Sequence, residues 1–347
     1  MSITVETEQA SGGGPSPARR LLSRVRRRWI SWSAVTFLAV WAVVRAGGLE
    51  FGSFLTQLMT ITPYGAVLGL LLAVALIRRN RPAAVVALVA SLAMAAAVLP
   101  RAFPASGPAG GPAGGMAGEA AGGVPFRVLA INLFGRADAR AVVELVRELR
   151  PDVFAATELT TAQVAELDAA GLDELLPHRV LEDEPDAVGS GLYARHPLTA
   201  LPGLFTPVGH NMPAAAVTPP AGGRVEVVAV HPNPPLGRMV ERWNRALASF
   251  PSPTGGAIRV LAGDFNASLD HRAMRDLLGR GYADAAHRAG EGLTPTWPSG
   301  RALPPLITID HILVDERAGV SSFAVLDVPG TDHRAVFAEL RLPPAAG

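Results

Sequence analysis

The stretch Arg259-Val260-Leu261-Ala262-Gly263-Asp264-Phe265-Asn266-Ala267-Ser268 decides how this chain is read. Ile258 to Ala262 is a short apolar run of the kind that makes a buried strand. Gly263 breaks it, and an acid and an amide follow two residues apart. In extended backbone that spacing puts Asp264 and Asn266 on one face, at a strand end where chemistry is often placed. Taken alone, Gly, Asp and Asn are also ordinary turn residues. What separates the two readings is the company this stretch keeps.

Outward from it, from Pro125 onward, short apolar runs alternate with amphipathic helical patterns. Strands are expected at Phe126 to Ile131, Val153 to Ala156, Leu192 to Ala194, Arg224 to Val230, Ile258 to Ala262, Leu306 to Val314, Phe323 to Val328 and Ala335 to Leu340. Asp138 caps a helix whose Val142, Leu145, Val146 and Leu149 share a face, and Asp270 is expected to cap another that runs to Leu278. The pattern is that of one α/β domain over 125–347. Polar residues recur where its strands end: Asn132, Glu158, His231, Asp264 with Asn266, the pair Asp310-His311 and the pair Asp332-His333. Each has a bland reading by itself, a turn acid or a structural histidine. Together they fit loops converging on one cleft at a sheet edge.

That set suits phosphate ester cleavage. The chain has no cysteine, which excludes disulfides, thiol chemistry and Cys-ligated metals. Carboxylates such as Glu158 and Asp332 suit a hard cation, Mg²⁺ or Mn²⁺, which offsets charge on a phosphoryl group during in-line displacement. Histidines trade protons with an attacking water or a leaving oxygen, and asparagines donate to phosphoryl oxygens without adding negative charge.

The ordered motifs AIN (Asn132), Glu158, HPNP (His231), GDFN (Asp264, Asn266), IDHILV (Asp310) and TDHRAV (Asp332, His333) resemble those of the endonuclease/exonuclease/phosphatase superfamily. The resemblance covers about 125–343 and implies a DNase I-like two-sheet α/β sandwich with its site at one sheet edge. It further implies Glu158 as the main Mg²⁺ ligand with Asn132 and Asp332 beside it. Asp264 would orient or deprotonate the water, and Asn266 would hold a phosphoryl oxygen. His231, together with His333 oriented by Asp310, would flank the scissile phosphate. Thr157 stands where the family often has glutamine, and TDHRA where it often has Ser-Asp-His-Arg-Pro.

The first third of the chain is of another kind. Trp29 to Val44, Phe54 to Ile77 and Ala83 to Leu99 are apolar runs without a charged residue, and three transmembrane helices are expected over 29–100. Arg19, Arg20, Arg24, Arg26, Arg27 and Arg28 precede the first run, and Arg78, Arg79 and Arg81 separate the second and third. The positive-inside rule makes 1–28 a basic cytoplasmic segment and places everything after Pro100 outside the cell membrane. The Gly/Ala/Pro-rich 101–124 reads as a linker with some reach. This architecture is similar to that of the actinomycete teicoplanin-resistance membrane proteins, a resemblance that implies action on a lipid-linked cell-wall intermediate.

Charge narrows the substrate. Residues 125–347 hold 20 arginines against 26 acids, a net −6, while 1–124 hold 11 arginines against four acids, a net +7. A domain at −6 lacks the basic footprint of a nucleic-acid binder. The expected partner is therefore a phosphate-containing membrane lipid, as a phosphodiester or pyrophosphate. An anchored extracellular nuclease and a non-catalytic binder of a glycopeptide or lipid head group are the alternatives.

Overall fold

The computed structural model describes residues 17–105, 123–220, 222–253, 255–300 and 302–344, with side chains from residue 25 onward. Four helices come first: α1 (Pro17–Gly47), α2 (Gly52–Thr60), α3 (Thr62–Leu76) and α4 (Arg81–Val98). The rest is built from strands β1 (Val124–Asn132), β2 (Val153–Thr157), β3 (His178–Glu182), β4 (Ser190–Ala194), β5 (Leu198–Ala200) and β6 (Ala214–Val217). It continues with β7 (Val225–Val230), β8 (Ile258–Asp264), β9 (Tyr282–Asp284), β10 (Asp310–Asp315), β11 (Gly319–Asp327) and β12 (Arg334–Leu342). Helices α5 (Ala139–Leu149), α6 (Thr161–Ala169), α7 (Leu172–Leu175), α8 (Val240–Ser249), α9 (Arg272–Leu278) and α10 (Ala285–Ala289) lie between them.

The strands form two six-stranded sheets, ordered β11-β12-β1-β2-β4-β3 and β5-β6-β7-β8-β10-β9. Each is built around one parallel pair joined by a crossover helix, β1 with β2 through α5 and β7 with β8 through α8, and antiparallel strands flank both pairs. Val128 and Ala130 of one sheet meet Val227, Val260 and Ile312 of the other in the central core. Their strand neighbours Leu129 and Ile131 point the opposite way and pack under Val142 and Val146 of α5. Trp243, Leu247 and Met274 of α8 and α9 cover the second sheet. The result is an α/β sandwich with helices on both outer faces. Central strands buried on both sides read as continuous apolar runs, which is why VLAI, VFAA, VVAV and VLAG stand out in the sequence. The strands β3, β5, β6 and β9 were not among those expected: each is only three to five residues long, and of the four only β6, Ala214–Val217, is apolar throughout.

Two segments, Val25–Gly47 and Arg81–Ala102, are long and apolar enough to cross a membrane. The second apolar run is not one straight helix: α2 and α3 meet at a 79° bend. The count of three spans therefore holds only if this bent pair is taken as one. The cause is Pro63, which has no N–H to donate to the Met59 carbonyl. That carbonyl instead accepts from Thr62 Oγ1 at 2.9 Å and from Ser268 Oγ at 3.4 Å. Past the bend, α3 lies close against α4, where a Cβ on Gly69 would sit 2.9 Å from that of Ser91.

The helices are packed against the sandwich. Asp270 does not cap α9; that position falls to His271, which makes no side-chain capping bond. Asp270 instead takes Arg101 through two bonds at 2.8 and 2.7 Å and Arg45 at 2.5 Å, because two buried guanidiniums outcompete a backbone amide for it. His271 sends Nε2 to the Thr56 carbonyl at 2.9 Å, and its Nδ1 accepts from Ser268 N at 2.9 Å. Of the Gly/Ala/Pro-rich segment, 101–105 is ordered against the sandwich, Ala105 N bonding to the Arg288 carbonyl, while 106–122 lies outside the described residues.

Candidate active site

The site lies at one edge of the sandwich, where the C-terminal ends of β1, β2, β7 and β8 meet the N-terminal ends of β10 and β12. Gly263 makes the approach possible: at φ 144° its Cα faces the neighbouring strand, and a Cβ there would sit 2.3 Å from the Val230 carbonyl. Asp264 lies opposite Asp310 in the β8–β10 register, so both carboxylates leave the sheet together. Glu158 and Asn266 occupy left-handed backbone, φ 49° and 48°, which non-glycine residues adopt mainly where surrounding structure forces them. In Asn266 the turn is held by its own N–H to Asp264 Oδ1 at 2.7 Å and its Nδ2 to the Pro232 carbonyl at 3.1 Å.

All eight residues expected at the site converge. Glu158, His231, Asp264, Asn266, Asp332 and His333 line a cleft of about 490 Å³. Asn132 and Asp310 lie directly behind it. Asn132 Nδ2 donates to Glu158 Oε1 at 3.0 Å and Asp264 Oδ2 at 3.1 Å, while its Oδ1 accepts from Phe134 N at 3.0 Å. As placed, then, its donor face rather than its oxygen is turned to the acids. His333 Nδ1 is bonded to both oxygens of Asp310 at 3.1 and 3.0 Å, and its Nε2 stands 3.7 Å from Asp264 and 3.9 Å from Asp332. His231 Nε2 faces Glu158 at 3.6 Å and Asp264 at 3.9 Å.

His311 is not part of the site. One residue along the strand from Asp310, it points to the other face, bonding Asp284 at 2.9 Å and the Ala267 carbonyl at 2.8 Å.

Several cleft residues are not among those read from the sequence. His210 places Nδ1 3.1 Å from Nδ1 of His231 and is itself held through Nε2 by Asn233. Trp297 and Met212, apolar residues that the sequence sets either in the core or beside the cleft, part company: Trp297 donates its indole N–H to Asp332 at 3.3 Å and lines the cleft, whereas Met212 is core. Gln57 and Thr60, from α2, also line it. A histidine in a loop between two short strands has no sequence signal, and nothing in an apolar run announces that two of its polar residues reach an active site.

The electrostatics are unbalanced. Among the described residues no arginine lines this cleft. Burial pushes the Glu158 carboxyl up, against the Asn132 hydrogen bond, and Asp332 and Asp310 push the same way. Burial also raises Asp264, to about 7; the His333 cation opposes this, and Asp310 and Glu158 reinforce it. Burial disfavours the charged form of His333, but Asp310 and Asp264 outweigh it and push the imidazole up to about 10. His231 goes the other way, held well below its ordinary value by burial and by His210 and His333. One histidine is thus kept as a cation and the other neutral.

A cluster of acids so poor in counter-charge fits a divalent cation. Its donors are oxygens and imidazole without sulfur, the set that suits Mg²⁺ or Mn²⁺. Asp264, Asp310 and His333 offer atoms within 4.8 Å of one another, close enough to hold an ion. In that trio, however, His333 Nδ1 is already engaged by Asp310. Glu158 and Asp332 line the same cleft.

The model of the Endonuclease/Exonuclease/phosphatase family matches residues 129–333, from β1 to the site histidine that precedes β12. The chain belongs to this family. Its members are hydrolytic phosphoesterases and nucleases, typically dependent on a divalent metal. Solved structures agree on the fold. An endonuclease/exonuclease/phosphatase from Beutenbergia cavernae DSM 12333 superposes with a TM-score of 0.50 at 19% identity, covering 64% of this chain and 72% of its own. Humanized D. rerio TDP2 carrying 14 mutations superposes with a TM-score of 0.50 at 18% identity, covering 62% and 99%. No curated protein matches the sequence. The family match takes in the sandwich from within β1 to the end of β11, and every residue of the cleft except those supplied by α2.

Proposed function

We propose that the protein is a membrane-anchored phosphoesterase, dependent on Mg²⁺ or Mn²⁺, that acts outside the membrane on a lipid-linked phosphodiester or pyrophosphate. The observation that carries this reading is the shared wall. The acid-rich cleft is lined on one side by catalytic strand ends and on another by the helix packed between two apolar spans. The outward faces of those helices are apolar, with Leu71, Val74, Val85 and Val89 more than half exposed, as a hydrocarbon surround requires. The arginines at 78, 79 and 81 favour a cytoplasmic α3–α4 turn, and with it a sandwich outside.

Glu158 and Asp332, with Asn132 adjacent, would hold the cation, which would supply positive charge to the phosphoryl oxygens. Asp264, raised by burial toward neutral pH, accepts a proton from the attacking water. His333, kept cationic and oriented by Asp310, faces the charge that develops on the phosphoryl group. Neutral His231 presents Nε2 from the far side, positioned through Nδ1 by His210. Asn266 holds a phosphoryl oxygen.

A sandwich at −6 with an apolar cleft wall favours a lipid over a polynucleotide. A cell-wall lipid carrier, and through it glycopeptide resistance, fits the same geometry. The test is hydrolysis by the purified full chain in detergent with Mg²⁺, on polyprenyl pyrophosphate, phospholipids, and duplex and single-stranded DNA. Lipid turnover that chelator abolishes is expected. DNA cleavage without lipid turnover would make this an anchored nuclease, and head-group or glycopeptide binding without turnover a non-catalytic receptor.

A further inference from the structure

Helix α2 carries Ser53, Thr56, Gln57 and Thr60 three and four residues apart, a polar stripe in an otherwise apolar segment. The stripe faces the sandwich. Ser53 Oγ accepts from Gly237 N at 3.1 Å, Gln57 Nε2 donates to the Pro235 carbonyl at 3.0 Å, and the Thr56 carbonyl is held by His271. Just past the bend, Tyr64 donates its hydroxyl to the Leu306 carbonyl at 2.7 Å. On other sides of the same helix Leu58 and Met59 are buried against α1 and α4, and Phe54 is 68% exposed. A short helix polar toward a catalytic domain and apolar elsewhere, leaving a chain that bends by 79°, has the form of a segment lying in the membrane surface.

Gln57 and Thr60 line the same cleft as Glu158 and His333. Pro235, to whose carbonyl Gln57 is bonded, lines the cleft with Leu236 and Ile307, and Leu236 is 56% exposed. The cleft therefore has a charged end and an uncharged, partly apolar end, and the uncharged end is made by the membrane module. Gln57 uses one amide hydrogen on Pro235 and retains a second N–H and an acceptor oxygen; the Thr60 hydroxyl donates to the Gln57 carbonyl at 2.7 Å and keeps its oxygen as an acceptor. Neutral donors and acceptors of this kind suit an oxygen-rich group that is already negative or uncharged, a second phosphate or a sugar hydroxyl.

We propose that α2 is the bilayer-facing wall of the catalytic cleft, and that Gln57 and Thr60 select the substrate by binding the polar group that joins the scissile phosphate to its lipid. The hydrocarbon leaves over Leu236 and enters the outer leaflet beside α3, so the substrate reaches the site sideways from the membrane. This rests on the lipid phosphoesterase reading above and adds the residues that make the cleft selective.

Two arms of one experiment test it, both on the full chain in mixed micelles with Mg²⁺. The first compares polyprenyl pyrophosphate with a soluble aryl phosphodiester. Gln57→Ala and Thr60→Val are expected to raise KM for the lipid and to lower the lipid-to-soluble ratio of kcat/KM about tenfold, a change of about 1.4 kcal/mol in selectivity. An unchanged ratio, whether both substrates suffer equally or neither does, overturns the proposal. The second arm uses the absence of cysteine: Gln57→Cys is labelled with a bulky maleimide, beside Glu144→Cys on the exposed face of α5. Blocking position 57 should stop turnover of the soluble diester while the label at 144 does not; turnover surviving a fully labelled 57 overturns the wall. A wild type that cleaves only the soluble diester removes the lipid substrate and leaves the wall to this second arm. A wild type that cleaves neither removes the phosphoesterase reading itself.

Discussion

Two clusters of buried charge lie six residues apart, one at the end of β8 and one on the loop that leaves it, and they are built on opposite terms. Around Asp264 stand Glu158, Asp310 and Asp332, with a single raised histidine as their nearest positive charge. Around Asp270 stand Arg45 and Arg101, and the carboxylate oxygens are taken by guanidinium bonds of 2.5 to 2.8 Å. Burial acts on both acids in the same direction. It wins at Asp264, whose carboxyl rises to about 7, and loses at Asp270, which the two arginines hold below its ordinary value. Depth in the fold does not tell the two apart; the partners do. A buried acid whose charge is answered within the chain is structural, and one whose charge is left to be answered from outside marks a place for a cation and a substrate.

The contrast breaks most visibly through activity. Asp264→Asn should lower turnover by about 10²-fold or more, the usual scale for losing general acid–base help, and Glu158→Gln should cripple it by weakening the hold on the cation, while the melting temperature of each holds or rises. It does not fall because each removes a poorly compensated buried charge. If either variant kept near-normal turnover, or unfolded, the Asp264 cluster would be structural like its neighbour. Chelation should silence the wild type and Mg²⁺ or Mn²⁺ restore it, with Glu158→Gln recovering little.

Next in size is Asp270→Asn, which leaves two guanidiniums buried without their acid, side chains 11% and 7% exposed. Breaking a buried pair from one side costs roughly 3–5 kcal/mol, so unfolding of the full chain in micelles should shift accordingly. A shift under about 1 kcal/mol, the range of surface pairs, would show that the helices are not held through Asp270.

Acid sharpens the same comparison. His271 is held down to about 4 by burial, against an ordinary value of 6.5. A group with a depressed folded value contributes stability above its unfolded pKa and loses it as pH falls. The His271 contribution should fade between about pH 6.5 and 4, by up to about 1.4 kcal/mol per pH unit. That of Asp270, whose folded value is also depressed, should fade only below its unfolded pKa of about 4. His271→Gln should flatten the upper part of the curve of melting temperature against pH; an unchanged slope would mean that the histidine is not buried neutral at the seam. The smallest effect is expected from Trp297→Phe, which loses only the indole N–H to Asp332 at 3.3 Å and should lower kcat/KM several-fold, the scale of one long hydrogen bond worth about 1 kcal/mol. No change in kcat/KM would remove Trp297 from the site.

Much of this was legible because strand ends carry their chemistry locally. Asn132, Glu158, His231 and Asp264 each follow a run of apolar residues, and a parallel strand buried on both faces cannot look otherwise. Asp138 as a cap is equally local, its Oδ1 taking the N–H of Arg140 and Ala141. Asp270 has the same short-range grammar and a different fate, because its partners lie 169 and 225 residues away. The second apolar run gave its length but not its shape. Pro63 was the available sign of a break, and the stripe from Ser53 to Thr60 the sign of what lay before it.

By itself, then, the sequence determined the order of elements, the α/β class and which side chains would stand at strand ends, since these follow from the apolar pattern and its interruptions within a few residues. Only the tertiary structure decided that His210 stands behind His231, that Trp297 reaches Asp332, and that α2 closes the cleft with Gln57 and Thr60. It also decided that the acid at 264 is left to the solvent-facing cleft while the acid at 270 is tied to the helices. Periodicity reports which face a residue is on. What stands opposite that face is set by how two sheets and four helices pack, and that is where charge is either answered or left open.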